Sequence, residues 1–323
     1  MKKRSLLLCL ATLTVFSSVQ AQTASYPQQP VKLVVGFAAG GPSDLVARAF
    51  ADHAAKALSQ TFIVENKPGA NAVIATEAVA GAKADGLTLL AAATNHTMIP
   101  ALYGDRIKFD AAKSFQPVCT LASSATVLVV GPSLPVKTVG EFIDRVKAKR
   151  GAASYATPGQ GSSPHLATEQ FRKLTGLSMI HVPYKGAAPA VTDLIGGQVD
   201  LSFATLGSVL PHIKSGKLTA LAVASKQRSS LLPQVPTFEE AGVKGFVIDT
   251  WYGLLAPAGT PFDSLKVLAR VAGEFGRTAG VVERLASAGL EPQALCGEPF
   301  ATQINREIDA NARIARELNL KVE

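Results

Sequence analysis

Phe37-Ala38-Ala39-Gly40-Gly41-Pro42-Ser43-Asp44 carries residue types that can grip an anion through the main chain. Glycines let backbone approach a ligand closely, and the first amides of a following helix are unpaired donors at the positive end of its dipole. A second segment of similar make-up stands more than a hundred residues later: Ala156-Thr157-Pro158-Gly159-Gln160-Gly161-Ser162-Ser163-Pro164-His165. Two such loops in one chain predict two lobes closing on one negatively charged ligand.

The side chains within these loops have chemistry of their own. Asp44 falls in a first helical turn, four residues before Arg48, where dipole and i,i+4 pairing suffice to explain it. It is also a candidate contact to the ligand or to a water beside it. Ser163 before Pro164 reads as N-cap followed by N1, which leaves the Ser162 and Thr157 hydroxyls to face the cleft. His165 reads as a loop anchor with ligand contact as its second role, and Phe37 as core or pocket wall. Further specificity candidates lie at strand ends: Thr94-Asn95-His96-Thr97, Tyr184-Lys185-Gly186, Ala204-Thr205-Leu206 and Asp249-Thr250-Trp251. Of these, Asn95 and Thr205 suit a hydrogen bond to the ligand's distal end. Lys185 could supply charge to the distal end of a diacid, with a solvated surface cation as its ordinary reading.

Alternating elements position these loops. Val31–Val35 reads as a buried strand and Leu45–Leu58 as a helix, followed by a strand over Thr61–Glu65, a helix near Val73–Ala82 and a strand over Leu87–Ala92. Val118–Val130 is long enough to pass between lobes, and Trp251–Ala256 is the second candidate crossing. Val139–Lys149 and a stretch from about Leu166 to Leu174 read as helices, with strands at Val199–Ala204 and Leu218–Ala224. Such alternation predicts an α/β protein with largely parallel sheets, its ligand beyond the carboxyl ends of strands.

Met1-Lys-Lys-Arg4, the apolar run Leu6–Val19 and Val19-Gln20-Ala21 read as a signal peptide over residues 1–21, and hence as export. The formal charge of +8 falls to about +5 once Lys2, Lys3 and Arg4 are removed. The remaining basic residues are scattered, which argues against nucleic acid. At 47% hydrophobic and 17% charged residues the chain is neither disordered nor membranous. Cys119 and Cys296 would remain in a compartment that permits disulfides. Without local spacing they read first as buried free thiols, with pairing left open. The five histidines share no metal-ligand spacing, and nothing calls for a cofactor. Catalysis is disfavoured: there is no G-x-S-x-G elbow, H-E-x-x-H or Walker A motif, and Gly159-Gln-Gly161 lacks the third glycine of a dinucleotide fingerprint.

Phe37-x-x-Gly-Gly-x-x-Asp-x-x-Ala-Arg48, Glu65-Asn-Lys-Pro-Gly-Ala70, Gly159-x-Gly-Ser-Ser-Pro-His-Leu166, His181-Val-Pro-Tyr-Lys-Gly186 and Trp251-Tyr-Gly-Leu-Leu-Ala-Pro-Ala-Gly-Thr-Pro261 occur in that order. In this the chain resembles the Bug family of periplasmic solute receptors, the binding subunits associated with tripartite tricarboxylate transporters. The resemblance implies a two-lobed, type II-like periplasmic binding protein with two interlobe crossings. One lobe would comprise residues 26–123 and 251–323, the other 124–250. It also implies a ligand carboxylate held by both glycine loops rather than by an arginine clamp. The expected ligand contacts are Phe37, Ala39, Gly40, Gly41, Asp44, Asn95, Thr157, Gly161, Ser162, Ser163, His165 and Thr205. The expected partners are a small carboxylate and membrane permease subunits, or a sensor kinase in their place, with the receptor itself a monomer.

Overall fold

A computed structural model describes residues 26–317 and residue 320, so the expected signal peptide over residues 1–21 lies outside the described residues. In chain order the elements of the first part are β1 (Val31–Val35), α1 (Pro42–Leu58), β2 (Phe62–Asn66), α2 (Val73–Ala80), β3 (Thr88–Ala93), α3 (Ile99–Tyr103) and the long β4 (Phe115–Val130). The middle part holds α4 (Val139–Ala148), β5 (Ser154–Thr157), α5 (Ser163–Thr175), β6 (Ile180–Pro183), α6 (Ala187–Ile195), β7 (Leu201–Thr205), α7 (Leu206–Lys214) and β8 (Thr219–Val223). The chain returns through β9 (Asp249–Pro257) to α8 (Phe262–Phe275), α9 (Ala279–Ser287), β10 (Glu291–Pro292) and α10 (Glu298–Glu317).

Strand order is β2-β1-β3-β9-β4-β7-β5-β6, with β8 and β10 also on β4. β4 joins two sheets. Its residues up to Ala125 pair with β9, the last register being Ala125 with Asp249, and from Thr126 onward it pairs with β7 and β8. The outer strands are parallel as the alternation predicts, β1 with β2 and β3, and β5 with β6 and β7. The strands that cross between lobes run one out and one back, so β3–β9, β4–β9 and β4–β7 are antiparallel and each sheet is mixed.

Each sheet is buried on both faces, which is why its strands read as near-continuous apolar runs. Val31, Leu33 and Val35 of β1 pack with Phe50, Phe62 and Phe275, while Val34 turns the other way toward Trp251 and Phe300. In the second lobe Leu128 and Val130 face a cluster of Phe142, Phe171, Phe203, Phe238 and Phe246, and Val127 and Val129 face Leu194 and Val209.

The cysteines are a correction: Cys119 and Cys296 form a disulfide. They are 177 residues apart, so no local spacing announces the pair. The fold brings them together because β10 runs antiparallel to β4 and the backbones of Thr120 and Leu295 stay hydrogen-bonded beyond it. Two helices also begin earlier than their apolar periodicity suggests, at Pro42 and Ser163. Their first turns are built of Pro, Ser, Asp and His, whose capping and N-terminal preferences carry no hydrophobic signal.

Candidate functional site

A cavity with about 430 Å³ of atom-free space lies between the lobes, beyond the carboxyl ends of β1, β3, β5 and β7 and beside the start of β9. Its apolar wall includes Phe37, Ala93, Pro158, Ala187 and Tyr252. The starts of α1 (Gly41, Pro42, Ser43), α5 (Ser162, Ser163, Pro164), α6 (Ala187) and α7 (Thr205) all line it. Among the described residues no lysine, arginine or histidine lines it. Each helix N-terminus presents roughly half a positive charge. The cavity therefore has an electropositive lining made of main chain.

The first loop is held from behind. Gly40 has φ +83°, a left-handed conformation that suits glycine, and its amide donates to Asp44 Oδ2 at 3.0 Å. Arg48 Nε donates to the same oxygen at 2.9 Å, and Asn66 Nδ2 donates to Asp44 Oδ1 at 3.0 Å. Burial pushes the Asp44 carboxyl up, but the hydrogen bonds from Arg48, Gly40 and Asn66 outweigh it and hold the group below its ordinary value. Asp44 is thus turned into its own loop and does not line the cavity. Asn66 Nδ2 also donates to Phe37 O, which sets the Phe37 ring at the wall. Gly41 at the N-cap of α1 has no side chain to offer, so among the described residues the amides of Ser43 and Asp44 in its first turn have no capping side chain.

The second loop is held by a buried aromatic stack. Gly161, at φ +77°, donates its amide to His165 Nδ1 at 3.0 Å. His165 stacks on His181 with ring centroids 4.3 Å apart, and His181 stacks on Tyr155 at 4.8 Å. Burial pushes His165 down to about 3 and His181 down to about 4, so both are neutral near pH 7 and Nδ1 of His165 can accept. Thr157 Oγ1 bonds His181 Nε2 at 2.7 Å and donates to Gly159 O.

The two serines exchange the roles their sequence suggests. Ser162 is the N-cap, accepting from His165 N–H and donating to Gly159 O at 2.7 Å. Ser163 is the first helical residue, Pro164 follows it, and Ser163 Oγ is buried without a protein partner. Proline tolerates the second position as well as the first, since no intrahelical acceptor awaits an amide at either.

Of the expected contacts, Phe37, Gly41, Asn95, Ser162, Ser163 and Thr205 line the cavity, and Ala39, Gly40, Asp44, Thr157, Gly161 and His165 do not. Five of this latter group — Gly40, Asp44, Thr157, Gly161 and His165 — bond within their own loops. The lining adds Pro42, Ser43, Ala93, Pro158, Pro164, Ala187, Thr250 and Tyr252. Thr250 and Tyr252 alternate on β9 and so share a face, a period-2 signal readable once β9 is known as a crossing. Ala187 opens α6 directly after its N-cap Gly186. Three buried polar atoms on the lining have no protein partner among the described residues: Asn95 Oδ1, Ser163 Oγ and Thr250 Oγ1. Burial raises the Tyr252 phenol, which stays protonated.

Residues 46–320 match the model of the tripartite tricarboxylate transporter family receptor. The chain belongs to this family. BugT of Bordetella pertussis is 35% identical over 97% of this chain and 96% of its own length. Two solved relatives superpose closely. R. palustris Rpa4515, solved with adipate, has a TM-score of 0.89 at 30% identity, covering 92% of this chain and 100% of that one. MatC of Rhodopseudomonas palustris, solved with bound malate, has a TM-score of 0.84 at 30% identity, covering 90% and 99%. The fold, the family and the solute-receptor class that the resemblance implied are therefore those of this chain.

Proposed function

We propose that this receptor captures a small carboxylate in the interlobe cavity and delivers it to the membrane subunits of a tripartite tricarboxylate-type transporter. One observation carries the reading: four helix N-termini and three unpartnered buried polar atoms converge on one cavity whose described lining has no cationic side chain. A full carboxylate charge suits main-chain donors. Hydrogen bonds to a charged group contribute about 1.5–3 kcal/mol each. Three or four of them, less desolvation and ordering, support micromolar binding at about −8 kcal/mol. The adipate and malate of the two solved relatives support the same ligand class.

In this reading residues 1–21 are a cleaved export signal and the receptor is periplasmic. The lobes divide as residues 26–123 with 251–323, and 124–250. The sheet change at Ala125/Thr126 lies beside the first boundary.

A thermal-shift screen of the mature protein tests the ligand class, using mono-, di- and tricarboxylates beside their neutral amides. An acid at a hundred times its Kd is expected to stabilise the protein by about 2.7 kcal/mol, with its amide giving no shift. Amides that raise the melting temperature as far as the acids would overturn the carboxylate reading.

A further inference from the structure

The two ends of the Asn95 side chain, which is 5% exposed, face different surroundings. One end lies 2.8 Å from the carbonyl oxygen of Asn71. A carbonyl oxygen only accepts, so the atom facing it is Nδ2, and turning the amide round would set two acceptors against each other. The carbonyl itself is fixed. Asn71 sits in the middle of Ala70–Ala72, three successive residues with left-handed φ of 46°, 51° and 72°. The other end, Oδ1, is buried on the cavity lining without a protein partner among the described residues. It is acceptor-only, and its orientation is set before any ligand arrives.

The rest of the lining narrows what can meet it. Ser163 Oγ and Thr250 Oγ1 are hydroxyls and adapt to a donor or an acceptor. No acidic side chain lines the cavity among the described residues, and the Asp44 carboxylate is occupied by Gly40, Arg48 and Asn66. A second carboxylate placed at Asn95 would oppose its lone pairs to Oδ1 with no cationic side chain to offset them. An ammonium group would be buried there without a counter-charge from the protein.

We infer that the ligand carries, beside its carboxylate, a hydroxyl group that donates to Asn95 Oδ1, so that the receptor selects hydroxylated monocarboxylates. The inference rests on the carboxylate reading above and adds the second group. Asn95 is then the specificity determinant. Deoxy analogues leave a buried acceptor unpaired, and sites built around a substrate hydroxyl discriminate strongly for that reason.

Calorimetric titration of the mature protein tests this on two carbon frames. The probes are butanoate, 3- and 4-hydroxybutanoate and succinate, then benzoate, 3- and 4-hydroxybenzoate and terephthalate. At least one hydroxy acid is expected to bind tenfold or more tightly than both its deoxy parent and the dicarboxylate of its frame. Asn95→Leu is expected to shrink that preference below threefold, with Asn95→Ala as the alternative if the leucine variant melts early. The wild-type series decides without either variant. A parent acid or dicarboxylate that binds as tightly as every hydroxy acid overturns the inference and leaves the carboxylate reading standing. A tenfold preference that survives at Asn95→Leu also overturns it. Binding of none of the acids overturns both.

Discussion

Ser162 Oγ is committed inside its own loop, donating to Gly159 O and accepting from His165 N–H, whereas the adjacent Ser163 Oγ is buried on the cavity with no protein partner. Truncating the two should therefore have different consequences. Ser162→Ala removes an N-cap and is expected to cost the ligand-free protein about 1 kcal/mol, visible as a lower melting temperature. Ser163→Ala removes no internal bond and is expected to leave the ligand-free melting temperature nearly unchanged. It should weaken ligand binding by roughly three- to tenfold, the net worth of one hydrogen bond. Paired melting and titration curves check this. Equal loss of ligand-free stability in both variants would contradict the assignment. Such division of labour was not legible in the chain, because Ser-Ser-Pro fits a cap at either serine. Only the Gly159 carbonyl, placed by the positive φ of Gly159 and Gly161, decides between them.

At the scale of elements, the His165–His181–Tyr155 stack is the support on which the second loop rests. Glu169 and Arg172 are the charged groups that face it, paired with each other at 2.7 and 2.9 Å. Both histidines are pushed below 6.5, chiefly by burial, so between about pH 6.5 and 4 the unfolded chain binds more protons than the folded one. Stability from the stack is complete above that window and is lost as pH falls through it. Melting temperature is expected to decline from pH 6.5 to 4. The decline should be shallower in His165→Asn, which does not titrate. Identical slopes in the two proteins would contradict the linkage. Strands β1, β3 and β4 and the two glycine turns were readable because burial on both sheet faces writes long apolar runs and because glycine marks left-handed turns. The helix starts were not legible in the apolar periodicity, and the disulfide was not legible at all. The first depend on capping residues without periodicity, and the second on β10 lying against β4, a contact between distant parts of the chain.

For the whole molecule, the two lobes meet directly: Ala38 N–H donates to Lys185 O at 3.1 Å, joining the first glycine loop to the β6–α6 turn of the other lobe. α1 starts in one lobe and α5, α6 and α7 in the other, so only the closed arrangement presents all four N-termini to one anion. A ligand shifts such an equilibrium only through contacts that differ between its states, and the cavity supplies that difference. Small-angle scattering of the mature protein with and without a saturating acid reads capture by closure around a carboxylate. The radius of gyration is expected to be smaller with the acid. Binding and contraction are expected to be lost together in Gly161→Val, where φ is +77° and Leu102 and Asn71 already fill the space a side chain would need. A radius of gyration unchanged at saturation, or Gly161→Val binding and contracting like the wild type, would contradict it.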